Sequence, residues 1–449
     1  MADYLDQVCQ FVADTEFKDL PGDAVSRARR VTADSVAAIA AGSVEPEVVS
    51  LTEKLAPSSP DTASVIGAGK NAAPAMAAFL NGTAGTFLEL DEGNQFSRGH
   101  PGIHALPSAL AISEDQGFSG KAFLTAMILG YEIGARIGIS AKILPSMHPH
   151  GTWGTVGSAV AVAKLFGADA AKVKEVINVA STLGLATSRQ TMLQGGTVRN
   201  SFAGFSGKMG IMAWQMVESG FTGEADGLST IWGSVSSTDW NPDEMTAELG
   251  SRYEIARNYF KRHACCRYNH GALDAVQIIV DERGMFSSDE VRHVRVETYS
   301  LAAQLSDRSP RNTLAGKFSL PFAIASTLVN QSSGVGSFTW EQIRNPEIQT
   351  FADKVEVVED EALTAMMPDY RPARVIIDFM DGSQASAETK TNRGDTEDPY
   401  SDGELDLKYQ ELTGRLWREE AAKSVYDACF AVDELDDINQ LTSLFPSAD

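Results

Sequence analysis

The most apolar long segment of the chain reads KAFLTAMILGYEIGARIGI over residues 121–139. Its apolar side chains recur at the spacing of a helix. Glu132 and Arg136 interrupt the segment, and charged residues are rare and costly inside a membrane-spanning helix. The segment therefore predicts a helix in the core of a folded protein and not a membrane span.

Helical spacing continues on both sides of this segment, through roughly the first 240 residues. These residues are rich in alanine and glycine, which favours close packing between helices. Pro107 is expected in the first turn of its helix, where the missing N–H costs nothing. The further predicted helices cover residues 25–41, 72–84, 106–114, 156–166, 171–183 and 207–219.

Alternation of apolar and polar side chains begins near residue 285 and predicts strands. The clearest example is VRHVRVETY at residues 291–299. The dipeptide Asp381-Gly382 is typical of a tight hairpin turn. Further strands are predicted at residues 355–358, 373–380 and 384–389, a helix at 319–329, a polar loop at 392–403, and more helix from 404 to 445.

These patterns predict a mainly α fold with a smaller α+β domain. We expect residues 1–270 to form a large helical domain, completed by C-terminal helices within 404–449 that pack back onto it. Residues 271–403 are expected to form the α+β domain.

The formal net charge is −23. Such a chain repels nucleic acid and anionic membranes, so we expect neither as a partner. It also repels an anionic substrate unless basic side chains gather at the site. The four cysteines show no disulfide or metal-binding spacing, and the first residues show no signal-peptide pattern, so the sequence predicts a cytoplasmic protein.

Six of the seven histidines fall into three short clusters. Imidazole titrates near neutrality, so each cluster is a candidate for proton transfer at working pH. The alternative for any one of them is a helix cap or a hydrogen bond to the backbone. The clusters are His100 with His104, His148 with His150, and His263 with His270.

Charged side chains accompany these clusters. The motif LELDEGN contains Glu89 and Asp91, either of which could orient an imidazole or act as a base; the alternative is a solvated acidic turn. The segment KRHACCR contains Lys261 and Arg262 and is the densest cationic run of the chain, although such a run could also form an interface. Lysine and arginine hold carboxylates, arginine in a bidentate fork.

Arg98 and Arg199 are further candidates to bind substrate carboxylates.

Other chemistries have weaker support. The sequence has no GxGxxG after a strand, no P-loop and no GxSxG, so nucleotide binding and serine hydrolysis are unsupported. The histidine pairs permit a metal but lack an ordered ligand set, and we expect no metal and no cofactor.

The chain resembles the MmgE/PrpD family. The matching stretches are AAFLNGTAGTFLELDEGN, GHPGIHALPSALAISE, GYEIGARIG, HPHGTWGTVGSAVAVAKLFG, GFTG, YFKRHACCRYNHGALDA and KFSLPFAIA. The resemblance implies a large helical domain with an α+β lid, usually in a homodimer. It implies a cofactor-independent lyase or isomerase acting on a small polycarboxylate, as 2-methylcitrate dehydratase, cis-aconitate decarboxylase and iminodisuccinate epimerase do.

The resemblance also implies roles for particular residues. His100 and His148 match the family's two active-site histidines, Lys261 matches its lysine, and Asp91 lies in its acidic motif, with Glu89 as the alternative. These four, His100, His148, Asp91 and Lys261, are the expected catalytic residues. Arg199, Arg262, His150, Glu89 and Arg98 are the expected substrate-binding residues.

Three positions depart from the decarboxylases that the chain resembles. A lysine there corresponds to Arg199 here, a nearby histidine to Phe202, and a tyrosine to Phe322. These changes favour a hydro-lyase similar to 2-methylcitrate dehydratase over a decarboxylase. An epimerase of a dicarboxylate and a decarboxylase remain as alternatives, and a non-enzymatic polycarboxylate-binding protein is the alternative of another class.

Overall fold

A layered bundle of helices forms the larger part of the molecule. The computed structural model describes residues 4–56 and 61–446. The predicted core helix is present as Gly120–Ser140. The other helices of the bundle are Tyr4–Asp14, Gly22–Ser43, Pro46–Leu55, Pro74–Phe87, Pro101–Gln116, Gly154–Leu165, Ala170–Ser181, Arg189–Leu193, Phe202–Glu218 and Asp243–Thr246.

Glycines allow the central helices to approach one another closely. A Cβ atom at Gly42 would lie 2.0 Å from the backbone oxygen of Ala84 in the facing helix. Gly130 and Gly157 face each other, and a Cβ on either would lie 2.6 Å from the backbone oxygen of the other. The close packing expected from the alanine and glycine content is therefore confirmed at these crossings.

The core helix Gly120–Ser140 is also, among the described residues, the one helix long and apolar enough to cross a membrane. Of its most apolar window, 89% is buried inside the protein. Glu132 and Arg136 form an ion pair within it, with Oε1 and Nε 2.6 Å apart. Burial and internal pairing confirm the prediction of a core helix.

The helix that contains His104 begins earlier than predicted. It starts at Pro101 with His100 as the residue before its first turn, and Pro107 lies in its interior. The prediction that Pro107 occupies the first turn was wrong, because Pro101 takes that place. His104 consequently projects from a buried helical turn and not from a loop.

A four-stranded sheet forms the centre of the smaller part of the fold. The spatial order of its strands is Val355–Glu359, Val291–Thr298, Ala373–Phe379 and Gln384–Thr389. The first two are parallel and the other neighbours antiparallel. The strands and the hairpin predicted from the sequence are confirmed.

Helices cover this sheet and connect its strands. The residues Val291, Val294 and Val296 of one strand are buried, which accounts for the alternation in the sequence. The helices of this region are Arg267–Arg283, Ser300–Ala303, Thr313–Lys317, Leu320–Asn330, Trp340–Ile343, Pro346–Ala352 and Glu361–Thr364.

The C-terminal helices Asp402–Thr413, Glu419–Phe430 and Asn439–Thr442 return to the bundle. Lys408 Nζ lies 2.5 Å from Asp34 Oδ1, and both side chains are buried. Arg30 pairs with Asp406 at 2.6 Å. A short hairpin, Ala63–Val65 with Lys70–Ala72, and a long-range antiparallel pair, Ala141–Ile143 with Ser237–Trp240, interrupt the otherwise helical first part. The fold is mainly helical with a smaller α+β part, as predicted, whereas the exact domain boundaries remain a prediction.

Candidate active site

An imidazole backed by a carboxylate lies at the base of a pocket. His100 Nδ1 is 2.9 Å from Asp91 Oδ2, a close ion-pair contact without the alignment of a straight hydrogen bond. Asp91 is 0% exposed and His100 8% exposed. A carboxylate beside Nδ1 keeps the proton on that nitrogen, so Nε2 of His100 is left free to accept a proton.

The loop that carries this pair is held in a defined conformation. Asn94 and Gly99 form a short bridge, with Asn94 N–H donating to the Gly99 carbonyl at 2.9 Å. Arg98, just before Gly99, adopts a left-handed conformation with φ of 56°. A Cβ at Gly99 would lie 2.4 Å from the ring of Trp153, so the close approach to that ring requires glycine.

Lys261 lies behind the base of the pocket. Its Nζ is 3.4 Å from Asp91 Oδ1 and 3.9 Å from Glu89 Oε2, and the residue is 0% exposed. Burial opposes ionisation of Asp91, but His100 and Lys261 outweigh it and hold the pKa of Asp91 well below its usual range. Lys261 does not line the pocket, so it stabilises the Asp91 carboxylate instead of reaching a substrate directly.

Arg199 and Glu89 form a buried bidentate pair. Arg199 Nη1 donates to Glu89 Oε1, and Nη2 donates to Oε2 at 3.3 Å. Each side chain is 2% exposed. Both residues line the pocket, and each neutralises the charge of the other. Arg199 is therefore less available to a substrate carboxylate than the sequence suggested.

Three more histidines surround His100. The ring centroid of His150 lies 4.5 Å from that of His100, 5.0 Å from that of His148 and 5.1 Å from that of His104. The sequence clusters at 100–104 and 148–150 therefore meet in space. The third cluster, with His263, lies elsewhere.

Burial keeps these surrounding histidines neutral. Burial and the charge of Arg199 lower the pKa values of His148 and His150 well below the usual value. Burial lowers the pKa of His104 to about 3. The His150 backbone N–H donates to His148 Nδ1 at 3.1 Å, which places the ring proton of neutral His148 on Nε2.

Arginines form much of the pocket wall. No carboxylate of a described residue lies within ion-pair distance of Arg98, Arg189 or Arg371, although Arg371 donates to the Gln95 carbonyl at 3.1 Å. Arg189 Nε and Nη2 are buried without a hydrogen-bond partner among the described residues. The lining residues are Glu89, Arg98, His100, His148, Pro149, His150, Arg189, Met192, Arg199, Tyr259, Cys266, Arg267, Tyr268, Phe318 and Arg371.

Arg262 does not belong to this pocket. It lines a different cleft, where its Nη2 lies 3.7 Å from Glu411 Oε1. The prediction that Arg262 binds substrate is therefore not supported by its position. Lys261 and Arg262 are consecutive residues of an irregular segment, but Lys261 is buried beside Asp91 whereas Arg262 is part-exposed in the other cleft.

Sequence reasoning missed Arg189, Arg371, Tyr259 and Tyr268. Tyr259 lies two residues before the basic segment KRHACCR, so extending that segment by two residues would have included it. Arg189 and Arg371 stand alone in the sequence and carry no comparable signal.

The departures from the decarboxylase pattern occupy different places. Phe202 packs near His148, with ring centroids 6.2 Å apart. Phe322 is 1% exposed, lies 6.1 Å from Phe338 and does not line the pocket. Cys266 lines the pocket, but burial raises the pKa of its thiol to about 11, which disfavours the reactive thiolate.

One group of potential metal ligands lies within the site. Ligand atoms of Asp91, His100 and His150 all lie within 4.8 Å of one another. The positive charges of Lys261 and Arg199 nearby oppose a cation at this position. The expectation of a site without metal remains a prediction.

Comparison with known proteins agrees with the resemblance in the sequence. Residues 6–241 match the MmgE/PrpD N-terminal domain, and residues 263–431 match the MmgE/PrpD C-terminal domain. A cis-aconitate decarboxylase of Aspergillus terreus is 25% identical over 98% of this chain and 95% of its own length. The cis-aconitate decarboxylase of Mus musculus is 23% identical over 83% of this chain and 78% of its own length. With both domain models matched in order along most of its length, the chain belongs to the MmgE/PrpD family.

Proposed function

We propose that this protein is a hydro-lyase similar to 2-methylcitrate dehydratase, which removes a proton next to a carboxylate and eliminates water from a hydroxy-polycarboxylate. The observation that carries the proposal is the Asp91–His100 pair in a pocket that is also lined by Arg98, Arg189 and Arg371, for which the described part of the chain offers no carboxylate partner. The matches to cis-aconitate decarboxylases support an enzyme of the lyase type.

The charge of the pocket supports a polyanionic substrate. Glu89 neutralises the charge of Arg199. Asp395 lies 2.6 Å from Arg267 and neutralises the charge of that arginine. Arg98, Arg189 and Arg371 remain without a carboxylate partner among the described residues. Their three positive charges complement the three carboxylates of a tricarboxylate.

His100 is the proposed base. Asp91 keeps the proton of a neutral His100 on Nδ1, so Nε2 can take a proton from the substrate carbon. The imidazolium that forms is then stabilised by the Asp91 carboxylate. A proton on a carbon next to a carboxylate becomes easier to remove when cations stabilise the charge that develops on the carboxylate oxygens, and the arginines supply those cations.

His148 has a different proposed part. Its Nε2–H can donate a hydrogen bond to a substrate oxygen while the ring stays neutral. The site thus contains one imidazole, His100, whose Nε2 is free to accept a proton, and a second, His148, whose Nε2 already carries one. An epimerase that returns the proton to the opposite face requires two bases, so this asymmetry favours elimination over epimerisation.

Decarboxylation is the second candidate, because the relatives that match over most of the chain carry the name cis-aconitate decarboxylase. Both reactions pass through a similar carbanion-like state and differ in the group that leaves.

The test is to incubate the purified protein with 2-methylcitrate, citrate, cis-aconitate and iminodisuccinate in deuterated buffer and to follow each by proton NMR. We expect a new vinyl or allylic signal from a hydroxy-tricarboxylate, with no loss of carbon dioxide. Itaconate from cis-aconitate would establish the second candidate instead. Exchange with inversion but no elimination would establish an epimerase, and binding without any reaction would refute an enzymatic role.

A further inference from the structure

The elimination of water requires a proton donor for the departing hydroxyl group. The neighbouring histidines are poorly suited to this part. His148 Nδ1 accepts from the backbone, and burial lowers the pKa values of His148, His150 and His104, so none of them is an imidazolium near neutral pH. A neutral imidazole is a weaker acid than a phenol, so a phenol of the pocket is the better candidate for the donor.

Tyr259 lies in the pocket wall beside the proposed base. Its ring is edge-on to that of His100, with centroids 6.2 Å apart and an angle of 80° between the rings. No described residue hydrogen-bonds to its hydroxyl. A side chain of this kind, next to the base and with an unused O–H, is placed to serve as its partner in proton transfer.

The backbone fixes Tyr259 to the loop that carries Asp91 and His100. Tyr259 N–H donates to the Gly93 carbonyl at 2.7 Å, and Gly93 N–H donates to the Tyr259 carbonyl at 3.0 Å. A Cβ at Gly93 would lie 2.4 Å from both Cζ and the hydroxyl oxygen of Tyr259. Glycine at position 93 therefore makes room for the phenol ring next to the loop.

The surroundings of the ring suit a donor that must briefly carry negative charge. The Arg267 guanidinium lies over its face, 4.3 Å from the centroid, and Arg267 is itself held by Asp395. Burial raises the pKa of Tyr259 above its usual value, so the phenol keeps its proton at neutral pH. The cation over the ring stabilises the phenolate once the proton has left.

We propose that Tyr259 is the catalytic residue that protonates the departing hydroxyl group. This inference rests on the proposed function. His100 Nε2 takes the proton from carbon, and the neighbouring carboxylate first holds the C–H electron pair, which then forms the new double bond. The C–O bond breaks, and the oxygen takes the Tyr259 proton and leaves as water. The proton on His100 then returns to the Tyr259 phenolate, directly or through water, which restores both groups.

The test compares Tyr259→Phe with the wild type and with Tyr299→Phe on the hydroxy-tricarboxylate that the protein converts. Tyr299 has a buried hydroxyl without a hydrogen-bond partner among the described residues and does not line the pocket, so it is a matched control. We expect Tyr259→Phe to lower kcat by about 10²- to 10⁴-fold with little change in KM. Tyr299→Phe should keep kcat within about threefold of the wild type.

Deuterium exchange provides the readout that a merely structural role would not give. In deuterated buffer, substrate recovered from Tyr259→Phe should still gain deuterium at the carbon where His100 acts, although elimination is lost. Unchanged kcat in Tyr259→Phe would refute the inference. Loss of exchange together with turnover would also refute it, because Tyr259 would then act on binding or folding. A wild type that neither exchanges nor converts any substrate would refute the proposed function and this inference with it.

Discussion

Replacing Asp91 by asparagine removes the carboxylate that fixes the proton on His100. The new side-chain amide can present N–H instead of oxygen to His100 Nδ1, which then becomes an acceptor and moves the ring proton to Nε2. The base is lost even though the imidazole remains. In the Ser-His-Asp triad, where a carboxylate fixes the histidine tautomer in the same way, replacing aspartate by asparagine lowers kcat by about 10⁴-fold.

The expected magnitude here follows from the geometry. The two atoms are 2.9 Å apart and Asp91 is 0% exposed, but the contact is not well aligned. We expect kcat to fall by about 10²- to 10⁴-fold, or roughly 3–5 kcal/mol in activation free energy. KM should change little, because the arginines that hold the carboxylates are untouched.

Asp91→Asn also leaves Lys261 with Glu89 alone, at 3.9 Å. Removing one partner of a buried ion pair destabilises a protein by roughly 3–5 kcal/mol. Asp34→Asn is the matched control, since it breaks the buried pair with Lys408, and neither of these two residues lines the pocket. It should lower the free energy of unfolding similarly while leaving kcat nearly unchanged.

The assay measures kcat and KM for both variants at a temperature where circular dichroism shows that they are folded. Values of kcat within about threefold of the wild type in folded Asp91→Asn would refute the proposed role of this carboxylate. An equal loss of kcat in Asp34→Asn would show that instability, and not the His100 proton, is responsible.

Glu92, Arg189 and Gly42 give three further predictions. Burial raises the pKa of Glu92 to about 8, so the folded protein binds a proton that the unfolded chain releases near pH 4.5. The free energy of unfolding should therefore fall by up to about 1.4 kcal/mol per pH unit as pH rises towards 8. In Glu92→Gln, the urea midpoint should depend less on pH over that range. Arg189→Gln should raise KM by about 10- to 100-fold through loss of a charge-assisted hydrogen bond, whereas Arg262→Gln should leave KM unchanged. Gly42→Ala places a Cβ 2.0 Å from a backbone oxygen of the facing helix and should lower the free energy of unfolding by at least about 1–3 kcal/mol, while Gly22→Ala, with nothing within 4 Å, should not.

Each of these has a contradicting outcome. The same pH slope in Glu92→Gln and wild type would show that Glu92 is not protonated in the folded state. Equal KM values for Arg189→Gln and Arg262→Gln would show that Arg189 does not bind the substrate. An unchanged free energy of unfolding in Gly42→Ala would mean that the two helices can move apart without loss of stability.

Much of the fold was predictable because its signals are local. The strand at residues 291–299 shows alternation that matches its buried face, and the turn at Asp381-Gly382 has the residues that such a hairpin needs. The helix at Pro101 was misplaced because two prolines compete for the first-turn position, and only packing decides between them.

The site was predictable only where its residues cluster along the chain. Asp91 and His100 share one loop, so their sequence spacing already brings them together. Arg189 and Arg371 are far apart in the sequence and come together only through the tertiary fold, where each guanidinium lies 5.9 Å from the ring centroid of Tyr268. The charge of a segment does not show which way each side chain faces, so the sequence could not show that Arg262 lines a different cleft.

The assignment of His100 as the base is tested most directly by the rate of deuterium uptake at the carbon next to the substrate carboxylate, measured for wild type and His100→Gln. We expect uptake by the wild type and a loss of at least about 10²-fold in His100→Gln, with substrate still bound. Uptake by folded His100→Gln within about threefold of the wild-type rate would contradict this assignment.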